Sequence, residues 1–211
     1  MSTSKKILLA VGITIFAAAA TFGVIFLINK LLSDGNTNNP NNQQSVLDLS
    51  NDYGACTMFS VEDVKASLGS AVSDVQAPEN MGIVGNTEES DSQICVYAFE
   101  PGGTIENGFH SNNGLVIKKT IYANNEDFKT ELEEVRQDPT LTEINDLGES
   151  AFYSAVTSSR GPSATHQFML LVFKNDTYNS YKISQPAESA SFTPQSAQQA
   201  LTSLARQSTD N

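Results

Sequence analysis

Three patterns of hydrophobic and polar positions divide the chain. Residues 7–28, "ILLAVGITIFAAAATFGVIFLI", contain no charge over 22 positions. At about 1.5 Å per residue such a helix reaches about 33 Å, enough to cross a hydrocarbon core roughly 30 Å thick. Residues 33–51, beginning "SDGNTNNPNNQQ", carry too few apolar side chains to offset the entropy of ordering. From residue 52 onward apolar positions recur with the spacing of helices and strands. The expected layout is a cytoplasmic tip (1–6), a transmembrane anchor (7–32), a flexible Asn-rich linker (33–51) and a folded domain (52–211).

Within the domain, three segments have helical periodicity. In "SVEDVKASLG" the positions Val61, Val64 and Leu68 share a face; Ser60 is placed to cap the start, Asp63 to complete a capping box, and Gly69 to end the helix. In "NNEDFKTELEEVRQDP" the stripe is Phe128, Leu132 and Val135, with Asn125 as the expected cap and Asp138-Pro139 as the stop. In "TPQSAQQALTSLARQS", Thr193 caps, Pro194 opens the first turn, and Ala197, Ala200, Leu201, Leu204 and Ala205 face inward.

Between the helices, "SQICVYAF", "NGLVIKKTIYA" and "SAFYSAVTS" are rich in β-branched and aromatic residues and bounded by turn formers. "HQFMLLVFKNDTYNSYKIS" reads as a hairpin turning at Asn175-Asp176, residue types that accept positive φ. In "LGESAF", Gly148 suits a backbone conformation other residues avoid, with Phe152 on one face of the strand that follows and Tyr153 on the other. Strands joined by short turns make an antiparallel sheet that the helices must cover. The expected fold class is α+β.

Charge orients the chain and narrows its function. Lys5 and Lys6 precede the apolar run, so the amino terminus is expected in the cytoplasm and the domain outside. A cleaved signal peptide is the competing reading, since Ala18-Ala19-Ala20 offers an A-x-A site; cleavage there leaves "TFGVIFLINKLL" as an exposed apolar tail, which favours a retained signal-anchor. Past Lys30 stand nine basic against 24 acidic side chains, a net −15. So acidic a surface repels phosphates and anionic head groups, which argues against nucleic acid as a partner. Six residues in the cytoplasm are too few for a kinase or a DNA-binding domain.

The chain has two cysteines, Cys56 and Cys95. In an exported protein paired thiols oxidise, and one intramolecular bridge is then available. Closing a loop of about 40 residues stabilises a fold by about 4 kcal/mol in the chain-entropy model. A redox thiol is an alternative reading. A metal site lacks its ligand set, for neither C-x-x-C nor a nearby His pair is present.

Three motifs, "ACTMFSVEDVKASLG", "QICVYAF" and "INDLGESAFYS", resemble those of a bacterial family of small extracytoplasmic lipoproteins and sensor-like domains of unknown function. The resemblance covers residues 56–206. It implies a PsbP-like α-β-α sandwich, joined cysteines and a role in the cell envelope. Two departures stand out. An apolar helix replaces the lipidated cysteine of many relatives, and there is one cysteine pair where sensor-type relatives often have two.

Chemistry is sparse. The two histidines, His110 in "GFHSNNG" and His166 in "SATHQF", have no nucleophile turn in the sequence to serve, and no H-E-x-x-H, P-loop or dinucleotide turn occurs. Glu88, Glu89 and Asp91 cluster in "NTEESDSQ" without the ligand order of a calcium loop. Arg160, one of few cations in an acidic domain, is the candidate for capturing a carboxylate or phosphate. No cofactor is expected. The sequence therefore reads as a membrane-anchored, non-catalytic binding or accessory domain of the bacterial envelope, with an unidentified envelope protein or small apolar ligand as partner. A lipid carrier and an unrecognised envelope enzyme are the alternatives.

Overall fold

The computed structural model describes residues 52–84, 90–100, 102–103, 105–106, 110–111, 113–158 and 164–209. The expected cytoplasmic tip, membrane anchor and linker lie outside them. No helix among the described residues is long and apolar enough to cross a membrane.

Three helices form where the apolar stripes placed them: α1 (Val61–Leu68), α2 (Asn125–Arg136) and α3 (Pro194–Thr209). At the start of α1, Ser60 Oγ accepts the Asp63 amide and the Asp63 carboxylate accepts the Ser60 amide, so the capping box is complete. Gly69 follows with φ +60°. At α2 the cap is one residue earlier than expected. Asn124 Oδ1 accepts the amides of Glu126 and Asp127, while Asn125 is the first helical residue and gives its side-chain amide to Asp176. At α3, Thr193 Oγ1 accepts the Ser196 amide at 3.2 Å.

The strands are β1 (Asp74–Val75), β2 (Glu79–Val84), β3 (Ser90–Glu100), β4 (Ile105–Glu106), β5 (His110–Ser111), β6 (Gly114–Tyr122), β7 (Thr142–Ile144), β8 (Ser150–Ser158), β9 (Thr165–Lys174) and β10 (Thr177–Pro186). Eight of them make one antiparallel sheet in the order β1-β3-β6-β10-β9-β8-β7, with β2 sharing the outer edge of β3 with β1. β4 and β5 pair separately. The hairpin between β9 and β10 turns through Asn175 and Asp176 at φ 51° and 55°, as the residue types require.

Strand alternation sorts the side chains onto two faces. On the first face Tyr97, Leu115, Ile117, Tyr153, Leu170, Tyr181 and Ile183 pack with Val64 and Leu68 of α1 and with Ala197, Leu201 and Leu204 of α3. Three of the sheet's tyrosines also hydrogen-bond this layer: Tyr97 to the Phe59 carbonyl at 2.9 Å, Tyr153 to the Pro194 carbonyl at 2.6 Å, and Tyr181 to Ser208 Oγ at 2.8 Å. On the second face Phe152, Leu171, Phe173 and Tyr178 pack under Phe128, Leu132 and Val135 of α2. Phe173 joins three rings there, with centroids 4.8 Å from Tyr178, 5.8 Å from Phe128 and 6.2 Å from Phe152. The domain is a mixed α+β fold, with two helices on one face of the sheet and one on the other.

Candidate functional site

β10 is the middle strand of the sheet, between β6 and β9. Its first face carries Tyr181 and Ile183, both in the main core. On its second face, by the same alternation, stand Ser180, Lys182 and Ser184. Lys182 is 6% exposed and Ser184 3%, and no hydrogen bond or ion pair joins either to any described residue. Burying a cation without a partner is costly, and burial alone pulls the Lys182 ammonium down to about 8.

Register gives Lys182 its surroundings. It lies opposite Val116 on β6 and Met169 on β9, and Met169 lies opposite Ser154 on β8, itself 5% exposed. Val116 belongs with Ile94 and Val96 to a small apolar cluster, against which Met81 packs. Met169 packs against the cluster beneath α2. Lys182 and its serines thus form a polar strip between two apolar clusters.

A second polar group lies on the first face, beside the disulfide. Cys56 and Cys95 are bonded, with Cα atoms 5.1 Å apart, and the bridge ties the entry to α1 onto β3. Two residues before Cys95, Gln93 Oε1 accepts the Ala55 amide at 2.9 Å, while its Nε2 is enclosed without a partner. Asp91 Oδ2 accepts the Tyr53 hydroxyl at 2.7 Å, and its Oδ1 is likewise enclosed and unpaired. Across the sheet, Gln93 faces Lys119 on β6 and Lys119 faces Asn179 on β10, whose Oδ1 is also unpaired.

The residues singled out by sequence fall in different places. Cys56 and Cys95 come together. Arg160 lies outside the described residues, as do Glu88 and Glu89. His166, the second residue of β9, lies at the end of the first face beside Phe168, where its Nδ1 stands 2.8 Å from Thr157 Oγ1. Asp91 belongs to the polar group beside the disulfide rather than to a calcium loop. Among the described residues, no group of His, Cys, Asp or Glu side chains is arranged to hold a metal ion. An open groove of about 740 Å³ runs along α3 beside Ile144, with Gln198, Thr202 and Arg206 in its wall. Sequence reasoning missed Lys182. Its signal was present, for "SYKIS" alternates strictly, but a polar strand face ordinarily means solvent.

No family model matches the chain, and no curated protein matches it. Among solved structures it is similar to the extracellular domain of PknH from Mycobacterium tuberculosis, with 8% identity and a TM-score of 0.42 over 75% of this chain and 96% of that one. It is also similar to a protein from Bacteroides thetaiotaomicron VPI-5482, with 10% identity and a TM-score of 0.34 over 57% of this chain. The chain spans 40% of that protein's length.

Proposed function

We propose that this protein is a non-catalytic binding or accessory domain of the bacterial cell envelope, anchored by residues 7–32 and held outside the cytoplasm on the linker 33–51. The observation that carries the reading is the Cys56–Cys95 disulfide, because such bonds persist in oxidising compartments and are rare in the cytosol. The apolar run at 7–28 supplies the export signal and the anchor. Helices on both faces of an antiparallel sheet suit the PsbP-like α-β-α sandwich of the extracytoplasmic lipoprotein and sensor-like family that its motifs resemble.

Binding rather than chemistry is favoured by what the domain offers. Gln93 Nε2 and Asn179 Oδ1 are enclosed amide atoms without a partner, groups that can hydrogen-bond a ligand but are not acids, bases or nucleophiles. An apolar-ligand carrier is the second reading, favoured by Lys182 standing between two apolar clusters.

The test of location uses intact cells. A membrane-impermeant maleimide is expected to leave both cysteines unlabelled before reduction and to label them after reduction and unfolding, while external protease removes the domain. Labelling of native Cys56 and Cys95 without reductant, or a domain that survives protease until the membrane is broken, overturns the reading.

A further inference from the structure

We propose that the open half of the β8 edge, Ala155 to Thr157, pairs antiparallel with the same segment of a second copy of this chain, about a two-fold axis through Val156. The pairing adds an interaction surface that the binding reading above does not contain, and its strength rests on the anchor in that reading.

The turn at Asn175-Asp176 fixes which groups are free. A two-residue hairpin turn is flanked by a hydrogen-bonded pair, here Lys174 and Thr177, so the even-numbered residues of β9 bond β10 and the odd-numbered ones bond β8. Opposite those odd residues stand the even ones of β8, with Val156 against Gln167 and Ser158 against Thr165. The odd residues of β8 therefore turn their N–H and C=O groups outward. Ala151 and Tyr153 give theirs to β7, which pairs Ile144 with Ala151 and Thr142 with Tyr153 and reaches no further along β8. Ala155 and Thr157 are exposed and have no strand beside them among the described residues. Each leaves a donor and an acceptor at the edge.

One register satisfies all of these groups. With the axis through Val156, Ala155 of each copy faces Thr157 of the other, and each such pair exchanges two hydrogen bonds. Centring on Ala155 instead sets Thr157 against Tyr153, whose groups β7 already holds. Centring on Thr157 carries Ala155 past Ser158, where the strand ends.

Charge points to a second copy as the occupant. Exposed edges are ordinarily guarded by charges, prolines or bulges. The opposite side of the sheet has such guards: Asp74 on β1, Glu79 on β2, and a break in register between Asn80 and Ile83. β7 carries Glu143. Ser154 to Ser158 carry no charge, no proline and no bulge. Nothing there complements a charged peptide, and in a chain of net charge −12 it is an edge where two copies meet without opposing like charges. A contact of a few residues buries less than the roughly 1,200 Å² of a stable dimer, so pairing depends on anchors that confine the copies to one membrane.

The experiment places one cysteine at a time in the full chain and oxidises membranes of expressing cells with copper phenanthroline. Cys56 and Cys95 are bonded to each other and do not compete. Two Val156 residues on the axis form a non-hydrogen-bonded pair with Cα atoms about 4.5 Å apart, within disulfide reach, whereas Ala155 and its own copy lie beyond about 7 Å. Val156→Cys is expected to yield a disulfide-linked dimer at least about 10-fold faster than Ala155→Cys or Thr157→Cys alone. Co-expression of the last two is expected to cross-link faster than either alone. Adding Ala155→Pro, which removes an outward N–H and spares the bonds to β9, is expected to abolish the Val156→Cys dimer. The cysteine pattern reads the register whether or not the proline variant folds. The proposal is overturned if Val156→Cys gives no dimer, if all three positions cross-link equally, or if Val156→Cys is captured by a protein of a different mass. Recovery of the chain in the membrane fraction before oxidant is added reports the anchor by itself, so a failed anchor and a failed pairing are told apart.

Discussion

Gly148 lies so close to Phe173 that a Cβ built on it would stand 2.6 Å from the Phe173 carbonyl oxygen. The next residue explains the approach: the Glu149 amide donates to that same carbonyl at 2.8 Å, pinning the entry of β8 to the end of β9. Gly148 also holds φ +63°, where side chains are strained. Gly148→Ala therefore meets a steric clash with backbone and an unfavourable torsion together. The expected loss is at least about 2 kcal/mol, read from urea unfolding followed by far-UV circular dichroism. A variant as stable as the parent would show that the two strands can part without cost.

The disulfide gives a second expectation. Cys56 and Cys95 are 39 residues apart in sequence, and both cap the contact between the first helix and β3. Replacing both with serine releases a loop of that length in the unfolded chain, and the expected cost is about 2–4 kcal/mol. Dithiothreitol treatment of the parent should lower its unfolding midpoint to that of the double variant. A midpoint unchanged by reduction would mean that Tyr97, bonded to Phe59 across the same junction, holds it unaided.

Helix capping separates two neighbouring asparagines. Asn124 Oδ1 accepts two amides of the first turn of α2, whereas Asn125 donates outward to Asp176 on the β9–β10 turn. Asn124→Ala is expected to cost about 1 kcal/mol and Asn125→Ala distinctly less. Equal effects in thermal unfolding would place the cap on neither residue alone.

The same pair shows where sequence reading succeeds and stops. The stripe Phe128, Leu132, Val135 locates α2, because helix periodicity is written into consecutive residues. The choice between two adjacent asparagines depends on which one leaves the helical torsion range, and Asn124 does so at φ −154°. Long strands such as β8 and β10 declare themselves by alternation. The short edge strands β1 and β7, two and three residues long, carry too few positions to alternate and exist because a neighbour presents free backbone groups. Lys182 was hidden for a related reason. Whether Ser180, Lys182 and Ser184 meet water or protein depends on β10 being central, and strand order is a property of pairing, not of the strand's own residues.

That burial sets an alkaline pH signature. Lys182 has its folded value near 8, below its unfolded value of 10.5, because burial disfavours the ammonium. Below pH 8 both states hold the proton and the folded domain bears the full cost of enclosing the charge. Between those values the unfolded state binds more protons, so stability rises with pH, by about 3 kcal/mol in all. Tyrosines act in the opposite sense. Burial holds Tyr97, Tyr153 and Tyr181 near 12 against an ordinary 10, so above pH 10 the unfolded chain ionises first and stability falls. Tyr122, partly buried and near the acids Glu131, Asp127 and Glu134 of α2, is pushed up further, by desolvation first and by those charges next, and steepens the fall. Urea unfolding at fixed ionic strength between pH 7 and 11 should show a maximum near pH 10. Lys182→Met should be more stable than the parent at pH 7, lose the rise, and keep the fall. Parallel curves for the two proteins would mean that the Lys182 ammonium reaches water or a counterion and that its burial does not set the alkaline rise.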